Sequence, residues 1–368
     1  MKILINPFDT LFFRDGKPFS LGEETIANTL SLPYPSTIYG TILSAYISQK
    51  NLPLTQETLN KLKDKLKIVQ IALYDEVTKN LLYPAPYDLV YEKETSYSTL
   101  YPLYLNDNLL SNISLPKIPI FKEDSTIENF KGFIYQQDFR NYLLNNSNVI
   151  NKASINEIIN TEYKIGIGIN QTTNSVEESK LYRIQLTRLR NEENIKIKIF
   201  VEFEGLDLND EGYLKLGGEN KIVYYQSLNE NIDEGIKAIN IDGNSSVFKL
   251  YLLTPAVFKN GYLAEWMNSK ELQKFKPDWC NEEIKLKLLS ISTGKYLSIG
   301  GFDLKEKRLK PMNRAIPEGT VYYFETTETD FNKIKKCFHF RSISDYKELR
   351  KQGFGITLVG NYINGGFN

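Results

Sequence analysis

The segment IKIKIFVEF, Ile195 to Phe203, constrains the fold of this chain more than any other, because Ile195, Ile197, Ile199, Val201 and Phe203 fall on every second position. Successive strand side chains point to opposite faces, so this spacing fits a strand with one face on a core and the other toward a more polar layer. LYRIQLTRLR, Leu181 to Arg190, repeats the pattern with Tyr182, Ile184 and Leu186. Half-buried strands of this kind belong to antiparallel sheets.

Upstream, Lys2 to Asn6 reads as a short strand leading into a turn at Pro7 to Asp9, and Thr10 to Arg14 as an extended piece ending at Asp15-Gly16. Pro35 followed by Ser36 and Thr37 predicts a helix start with a hydroxyl as N-cap, continued by Ile38, Ile42, Ala45 and Tyr46 at helical spacing. A second helix is expected from about Thr55 to Leu66, then a strand from Lys67 to Tyr74 that turns through DEVTKN into LLYPAP. Strand, helix, strand and hairpin make most of a ferredoxin-like β-α-β unit. Between Tyr87 and Asn160 the pattern loosens, apart from a helix at Gln136 to Leu144, and this stretch reads as an insertion.

A length of 368 residues suits about two domains. The turn-rich Gly212 to Glu219 marks the expected boundary, giving residues 1–215, with the insertion at about 87–160, and residues 216–368. Strands at Phe248 to Leu253, Ile284 to Ile291, Thr320 to Glu325 and Phe354 to Gly360 make the second unit another sheet, with short helices near Asp330 to Lys336 and Asp345 to Lys351. The fold class is α+β.

Lysine plus arginine number 45 and aspartate plus glutamate 45, so no general positive field coats nucleic acid and any RNA contact is local. Cys280 and Cys337 are too few for a disulfide framework and lack zinc-site spacing, which fits a reducing cytoplasm. His339 is the only histidine, excluding paired-imidazole mechanisms and multi-histidine metal sites; in CFHF it reads as a satisfied strand residue. The start KILINPFDTLFFRDG, broken by Pro7 and charged at Asp9, lacks a signal-peptide core, and no apolar run approaches the roughly 18 residues of a membrane span. A cytoplasmic protein without membrane contact is expected.

The segment most suggestive of function is KPMNRAIPEGTVYYFE, Lys310 to Glu325, in which Pro311, Pro317 and Gly319 fix a turn carrying Lys310 and Arg314 at the mouth of an aromatic strand. The plainer alternative is a surface hairpin with two solvated charges. Ser36 and Thr37 open a helix whose N-terminal N–H groups suit an anion, and Gly40 implies a close neighbour, either a phosphate or another part of the chain. Gly217-Gly218, Gly300-Gly301 and Gly353 to Gly355 are further phosphate-sized turns. Neither GxGxxG nor a P-loop occurs in its required context, so nucleotide cofactors lack support. KIGIG, Lys164 to Gly168, reads as a bulged strand, and Asp9 and Asp15 as turn caps without a catalytic partner. Most aromatic side chains are assigned to the core, and no RNP1 pattern marks a base-stacking platform.

Taken in order, PFDTLFFRDGKPF, YPSTIYGTI, LYPAPYDL, LGGE, LLTPAVFKNGY, SIGGFD, KPMNRAIPEGTVYYFE and GFGITLVG resemble the Cmr-type RAMP protein that forms the third subunit of type III-B CRISPR effector complexes. The similarity spans nearly the whole chain and is weakest between Tyr87 and Asn160 and between Gly205 and Gly243. It implies two ferredoxin-like (RRM-like) domains and a non-catalytic subunit in antiviral defence that holds the 5′ tag of the CRISPR RNA. Such a subunit docks the large polymerase/cyclase-like subunit and the first backbone RAMP subunit. No cofactor, metal or catalytic residue is implied. Carried onto this chain, the tag-side residues are Ser36, Thr37, Tyr39 and Gly40, Gly217 and Gly218, Lys310 and Arg314, and Gly353, Phe354 and Gly355. The alternatives are a RAMP endoribonuclease that processes precursor RNA, which the lone His339 disfavours, and a scaffold that binds only protein.

Overall fold

The computed structural model describes residues 1–14, 26–27, 29–93, 99–107, 115–144, 149, 151–169, 172–173, 175–241, 245–267, 271–303, 308–328 and 331–362. Mixed α/β architecture with antiparallel sheets organises them.

The alternating segment forms strand Ile195–Glu204, with Ile197, Ile199, Val201 and Phe203 buried, near the middle of the largest sheet. It pairs antiparallel with Lys2–Pro7 on one side and with Lys67–Asp75 on the other. Ile222–Ser227 and Glu211–Lys215 continue the sheet beyond Lys2–Pro7, while Asn80–Pro84, Gly132–Tyr135 and Lys152–Ser154 continue it beyond Lys67–Asp75. The first strand in sequence thus lies between two strands from much later in the chain.

Helices Pro35–Gln49 and Gln56–Lys65 connect the first strand to Lys67–Asp75. Gln49 donates to the Tyr225 hydroxyl at 2.7 Å and the Thr41 hydroxyl to the Lys215 carbonyl at 2.9 Å, pinning the first helix to the sheet. Thr55 caps the second helix by accepting from the Thr58 amide. The first helix departs from expectation: Tyr34 is its N-cap, Pro35 takes the first helical position, and Ser36 and Thr37 lie inside the first turn with no side-chain cap. Proline at that position is pre-set for helical φ and has no N–H to leave unsatisfied, so the hydroxyls are not needed as caps.

The second sheet runs in the order Gln273–Phe275, Ile284–Ser292, Val321–Thr326, Val247–Leu252, Ile356–Asn361, Arg341–Ser342. Its first long strand, Val247–Leu252, again sits between the third and the fourth. Helix Phe331–Phe338 crosses back over it, burying Phe331, Ile334, Cys337 and Phe338 on one face. The expected division after residue 215 falls between Glu211–Lys215 and Ile222–Ser227, which pair with each other; the change of sheet comes between Ser227 and Val247.

One apolar core joins the sheets. The stretch read as an insertion is part of that junction: Gly132–Tyr135 and Lys152–Ser154 lengthen the first sheet, and helix Gln136–Leu144 places Phe139 stacked on Tyr83 at 4.5 Å and edge-on to Tyr251 at 5.0 Å. Asp88 lies fully buried among groups from both halves of the chain. Its carboxylate accepts from the hydroxyls of Tyr142 (2.7 Å) and Tyr323 (2.6 Å), with Lys249 Nζ 3.8 Å away. Burial pushes the Lys249 pKa down, against the pull of Asp88.

LYRIQLTRLR, apart from Arg190, lies in strand Val176–Leu189, which belongs to a separate small sheet and forms a long hairpin with Ile159–Ile169. KIGIG falls in this hairpin, and the register shifts between Ile167 and Ile169, where the partner strand carries the extra residues, five positions from Leu181 to Val176 against two; the irregularity expected in KIGIG thus lies on its partner. Ile184 and Leu186 cluster with Phe12, while Tyr163, Ile165, Ile167 and Ile169 are exposed.

The two cysteines are not free. Cys280 and Cys337 are disulfide-bonded with Cα atoms 5.2 Å apart, correcting the expectation of reduced thiols. Far apart in sequence, they meet because the irregular segment after Gln273–Phe275 folds over helix Phe331–Phe338. A link across 57 positions removes unfolded-chain entropy equivalent to about 4 kcal/mol.

Candidate nucleic-acid interface

In the first turn of helix Pro35–Gln49, the Thr37 and Ile38 amides both donate to the Tyr34 carbonyl and Pro35 has no amide hydrogen. The Ser36 amide has no carbonyl partner among the described residues, and Ser36 and Thr37 are half-exposed. A Cβ built on Gly40 meets nothing within 4 Å among the described residues, so these do not supply the close neighbour that this glycine suggested. The helix therefore presents a small, partly open step at the end where the backbone dipole favours an anion. Tyr39 faces inward: it is buried, and its hydroxyl donates to the Lys63 carbonyl.

The turn at 310–314 belongs to a two-stranded ribbon in which Leu297–Ile299 pairs with Asn313–Ala315, Ser298 opposite Arg314. Lys310 and Arg314 are both exposed, and the Lys310 amide donates to the Gly301 carbonyl at 2.8 Å. The Arg314 guanidinium lies 4.9 Å from the centre of the Tyr296 ring, a cation–π contact that orders the side chain while leaving its charge unneutralised. This partner escaped sequence reasoning, since Tyr296 is distant in sequence from Arg314 and lies in no conspicuous motif.

Tyr34 joins the helix to the ribbon. Its hydroxyl donates to the Ser298 carbonyl at 3.4 Å, and its ring packs against a small apolar cluster of Val257, Ile299, Ala315 and Phe354. The residue before Pro35, the residue after Arg314 and the centre of the 353–355 loop thus meet in one place. Three of the four expected segments converge there.

The fourth segment runs beside the same helix, since Thr41 bonds to Lys215 two residues before Gly217. Its glycines are used for packing within the chain. Gly217 has φ +78°, a Cβ there would lie 2.4 Å from the Phe12 carbonyl oxygen, and the Gly218 amide donates to that oxygen at 2.8 Å. Gly217 itself stays exposed and Gly218 half-exposed, whereas Gly353, Phe354 and Gly355 are buried: Gly353 abuts Ile68, the Gly355 amide donates to the Pro255 carbonyl, and the Phe354 carbonyl accepts from Ser342 and Ser344. The two turns expected on the RNA side therefore differ: 353–355 lies inside the protein, and Gly217-Gly218 lies at its surface. The 353–355 amides are spent on the Arg350, Leu349 and Pro255 carbonyls, so this loop forms the floor of the step, and the Gly217-Gly218 turn flanks it.

His339 is buried, following helix Phe331–Phe338 rather than lying in a strand, with Nε2 3.0 Å from the Ile236 carbonyl and Nδ1 accepting from the Val359 amide at 3.2 Å. Burial lowers its pKa to about 4, so the ring is neutral and both nitrogens are engaged. Asp9, expected as a turn cap, accepts a backbone hydrogen bond from Thr10 that lowers its pKa, and it also pairs with Lys221 (3.4 Å) and Arg188 (2.9 Å). Asp15 lies outside the described residues. Sequence reasoning also missed the trio of exposed Phe8 and Tyr213 and half-exposed Tyr224, whose ring centres lie 5.9 to 6.5 Å apart. Phe8 follows the first strand and Tyr213 lies on the last-placed strand of the sheet, so only the paired register brings them together. No described helix is long and apolar enough to cross a membrane.

Residues 3–362 match the family model described as CRISPR-associated protein (Cas_Cmr3). The CRISPR system CMR subunit Cmr3 of Saccharolobus solfataricus is 25% identical over 365 residues, covering 97% of this chain and 95% of that protein. Among solved structures, a chain in the cryo-EM structure of the Type III-B Cmr-beta bound to cognate target RNA superposes with TM-score 0.53 at 18% identity, covering 96% of this chain and 95% of its own. A second, from the same assembly with AMPPnP, gives TM-score 0.51 at 18% identity with the same coverage. The chain belongs to the Cmr3 family of type III-B CRISPR effector subunits.

Proposed function

We propose that this chain is the non-catalytic subunit of a type III-B CRISPR effector complex that holds the repeat-derived 5′ tag of the CRISPR RNA, beside the large polymerase/cyclase-like subunit and the first backbone RAMP subunit. Each main sheet is read as a ferredoxin-like (RRM-like) domain. The strand orders support this: in both, counting strands of six or more residues, the first lies between the third and the fourth, although among the described residues each sheet has α-helices on only one of its two crossovers.

The observation that carries the proposal is the convergence at Tyr34. It joins a helix start with a free amide and an open glycine step to a ribbon bearing two exposed cations. Phosphates set register on such groups through charge and backbone donors, and a site this local suits a chain with no net charge. The contact set is accordingly Ser36, Thr37, Gly40, Lys310 and Arg314, flanked by Gly217 and Gly218 and supported from beneath by Tyr39, Gly353, Phe354 and Gly355. The non-catalytic role is supported by His339, whose ring nitrogens both bond to backbone.

Incubating the purified chain with synthetic repeat RNA tests this reading. Binding without scission is expected; sequence-specific scission that a point substitution abolishes would favour the endoribonuclease.

A further inference from the structure

Between the disulfide and the floor of the candidate site runs an unbroken series of contacts. Cys280 lies next to Trp279, whose indole N–H donates to the Cys337 carbonyl at 2.9 Å. The Arg350 guanidinium lies 5.0 Å from the Trp279 ring, pairs with Asp278 and donates to the Ser344 carbonyl at 2.9 Å. Arg350 belongs to the short helix Lys347–Lys351, whose Leu349 packs with Tyr34 against Phe354. In the same helix, Lys351 reaches Asp64 of the first helical pair. Asp278 and Trp279 sit in an irregular segment that the disulfide ties to helix Phe331–Phe338.

From this we infer that the Cys280–Cys337 bond is a redox-sensitive brace for the candidate RNA site: oxidised, it holds Asp278 and Trp279 on Arg350 and so fixes the 347–355 segment beneath Tyr34. Reduced, the 276–283 segment gains freedom and the floor of the site loosens. This rests on the tag-binding reading for its consequence, but not for its mechanics.

Cys280 is half-exposed and Cys337 fully buried, so a dithiol reductant attacks Cys280 Sγ and Cys337 leaves as a thiolate that takes up a proton. The second thiol of the reagent then closes on its own sulfur in the mixed disulfide and releases Cys280 as a thiol. The protein gains two electrons and two protons, and the dithiol becomes a cyclic disulfide. Intracellular disulfides are more often transient and redox-sensing than structural.

The test compares the full chain, oxidised and dithiol-treated, with a Cys280→Ser/Cys337→Ser variant. Two readouts are taken: hydrogen exchange across residues 341–355, and affinity for a synthetic single-stranded RNA carrying the repeat-derived 5′ end. Reduction is expected to raise exchange in 347–355 and weaken RNA binding about five-fold or more, with the double-serine variant fixed in the reduced behaviour. Unchanged exchange on reduction, or two titratable thiols in protein exposed to mild oxidant, overturns the brace. Increased exchange with no RNA binding in either state leaves the brace standing and removes the tag-binding reading instead. Increased exchange with equal RNA affinity in both states overturns the coupling.

Discussion

The Tyr34 hydroxyl donates to the Ser298 carbonyl across 264 positions of sequence, and through this pair the first helix and the Arg314 ribbon are held as one unit. The bond is long, so the ring does most of the holding by packing on Phe354 and Ile299. Tyr34→Phe is expected to lower RNA affinity less than two-fold, and Tyr34→Ala by at least ten-fold, because only the latter lets the two elements separate; a truncation of this size removes about 2–4 kcal/mol of packing. Fluorescence anisotropy on both variants checks the order.

Arg314→Ala and Lys310→Ala each remove one exposed cation. Each should weaken RNA binding and flatten the plot of log K against log salt by about 0.7 per lost phosphate contact. Arg314→Lys should recover only part of the loss, since lysine lacks the planar group that lies over Tyr296. A salt titration from low to moderate ionic strength measures the slopes directly.

Gly353 and Gly355 have φ of +91° and +81°, and a Cβ on either would come within 3 Å of a neighbouring heavy atom. Gly353→Ala and Gly355→Ala are expected to cost about 1–3 kcal/mol each, from backbone strain together with displacement of Ile68 or Ser344. Gly40→Ala, in open helical space, should be neutral or stabilising by about 1 kcal/mol while reducing RNA affinity. Opposite effects of Gly40→Ala on stability and binding would separate a ligand-facing glycine from a packing one.

Asp88→Asn leaves Lys249 buried beside a neutral amide and should destabilise the chain by about 3–5 kcal/mol. Replacing both residues, as Asp88→Asn with Lys249→Met, should cost less than the single change. Denaturant unfolding of the three variants and the parent closes the cycle.

His339 titrates near 4 when folded and near 6.5 when unfolded. The unfolded state therefore binds more protons between these values, and stability falls as pH drops from about 6.5 toward 4, by about 3 kcal/mol in all. His339→Gln should flatten that part of the profile, measured as melting temperature against pH.

Much of the fold was legible because it depends on local periodicity. The alternation from Ile195 to Phe203 and the helix Gln136 to Leu144 correspond to Ile195–Glu204 and Gln136–Leu144. What lay beyond reach depended on pairing across long separations. Glu211–Lys215 and Ile222–Ser227 looked like a boundary because their turn is glycine-rich, yet their residues alternate inward and complete the first sheet. Similarly, a glycine in sequence does not reveal whether its freedom serves a ligand or a neighbour. Gly217 and Gly353 serve Phe12 and Ile68, while Gly40 meets no neighbour among the described residues. The cations at 310 and 314 could be identified as candidates, but not Tyr296 beneath one of them, nor the disulfide, for which two isolated cysteines give no spacing signal.

Photo-crosslinking of the assembled effector complex, reconstituted with CRISPR RNA bearing a photoreactive 5′ tag and read by mass spectrometry of the adducted peptides, tests the central claim most directly. Adducts on the peptides containing Ser36 to Gly40 and Lys310 to Arg314 are the predicted result. Tag adducts confined to other subunits, or to surfaces of this chain remote from Tyr34, would contradict it.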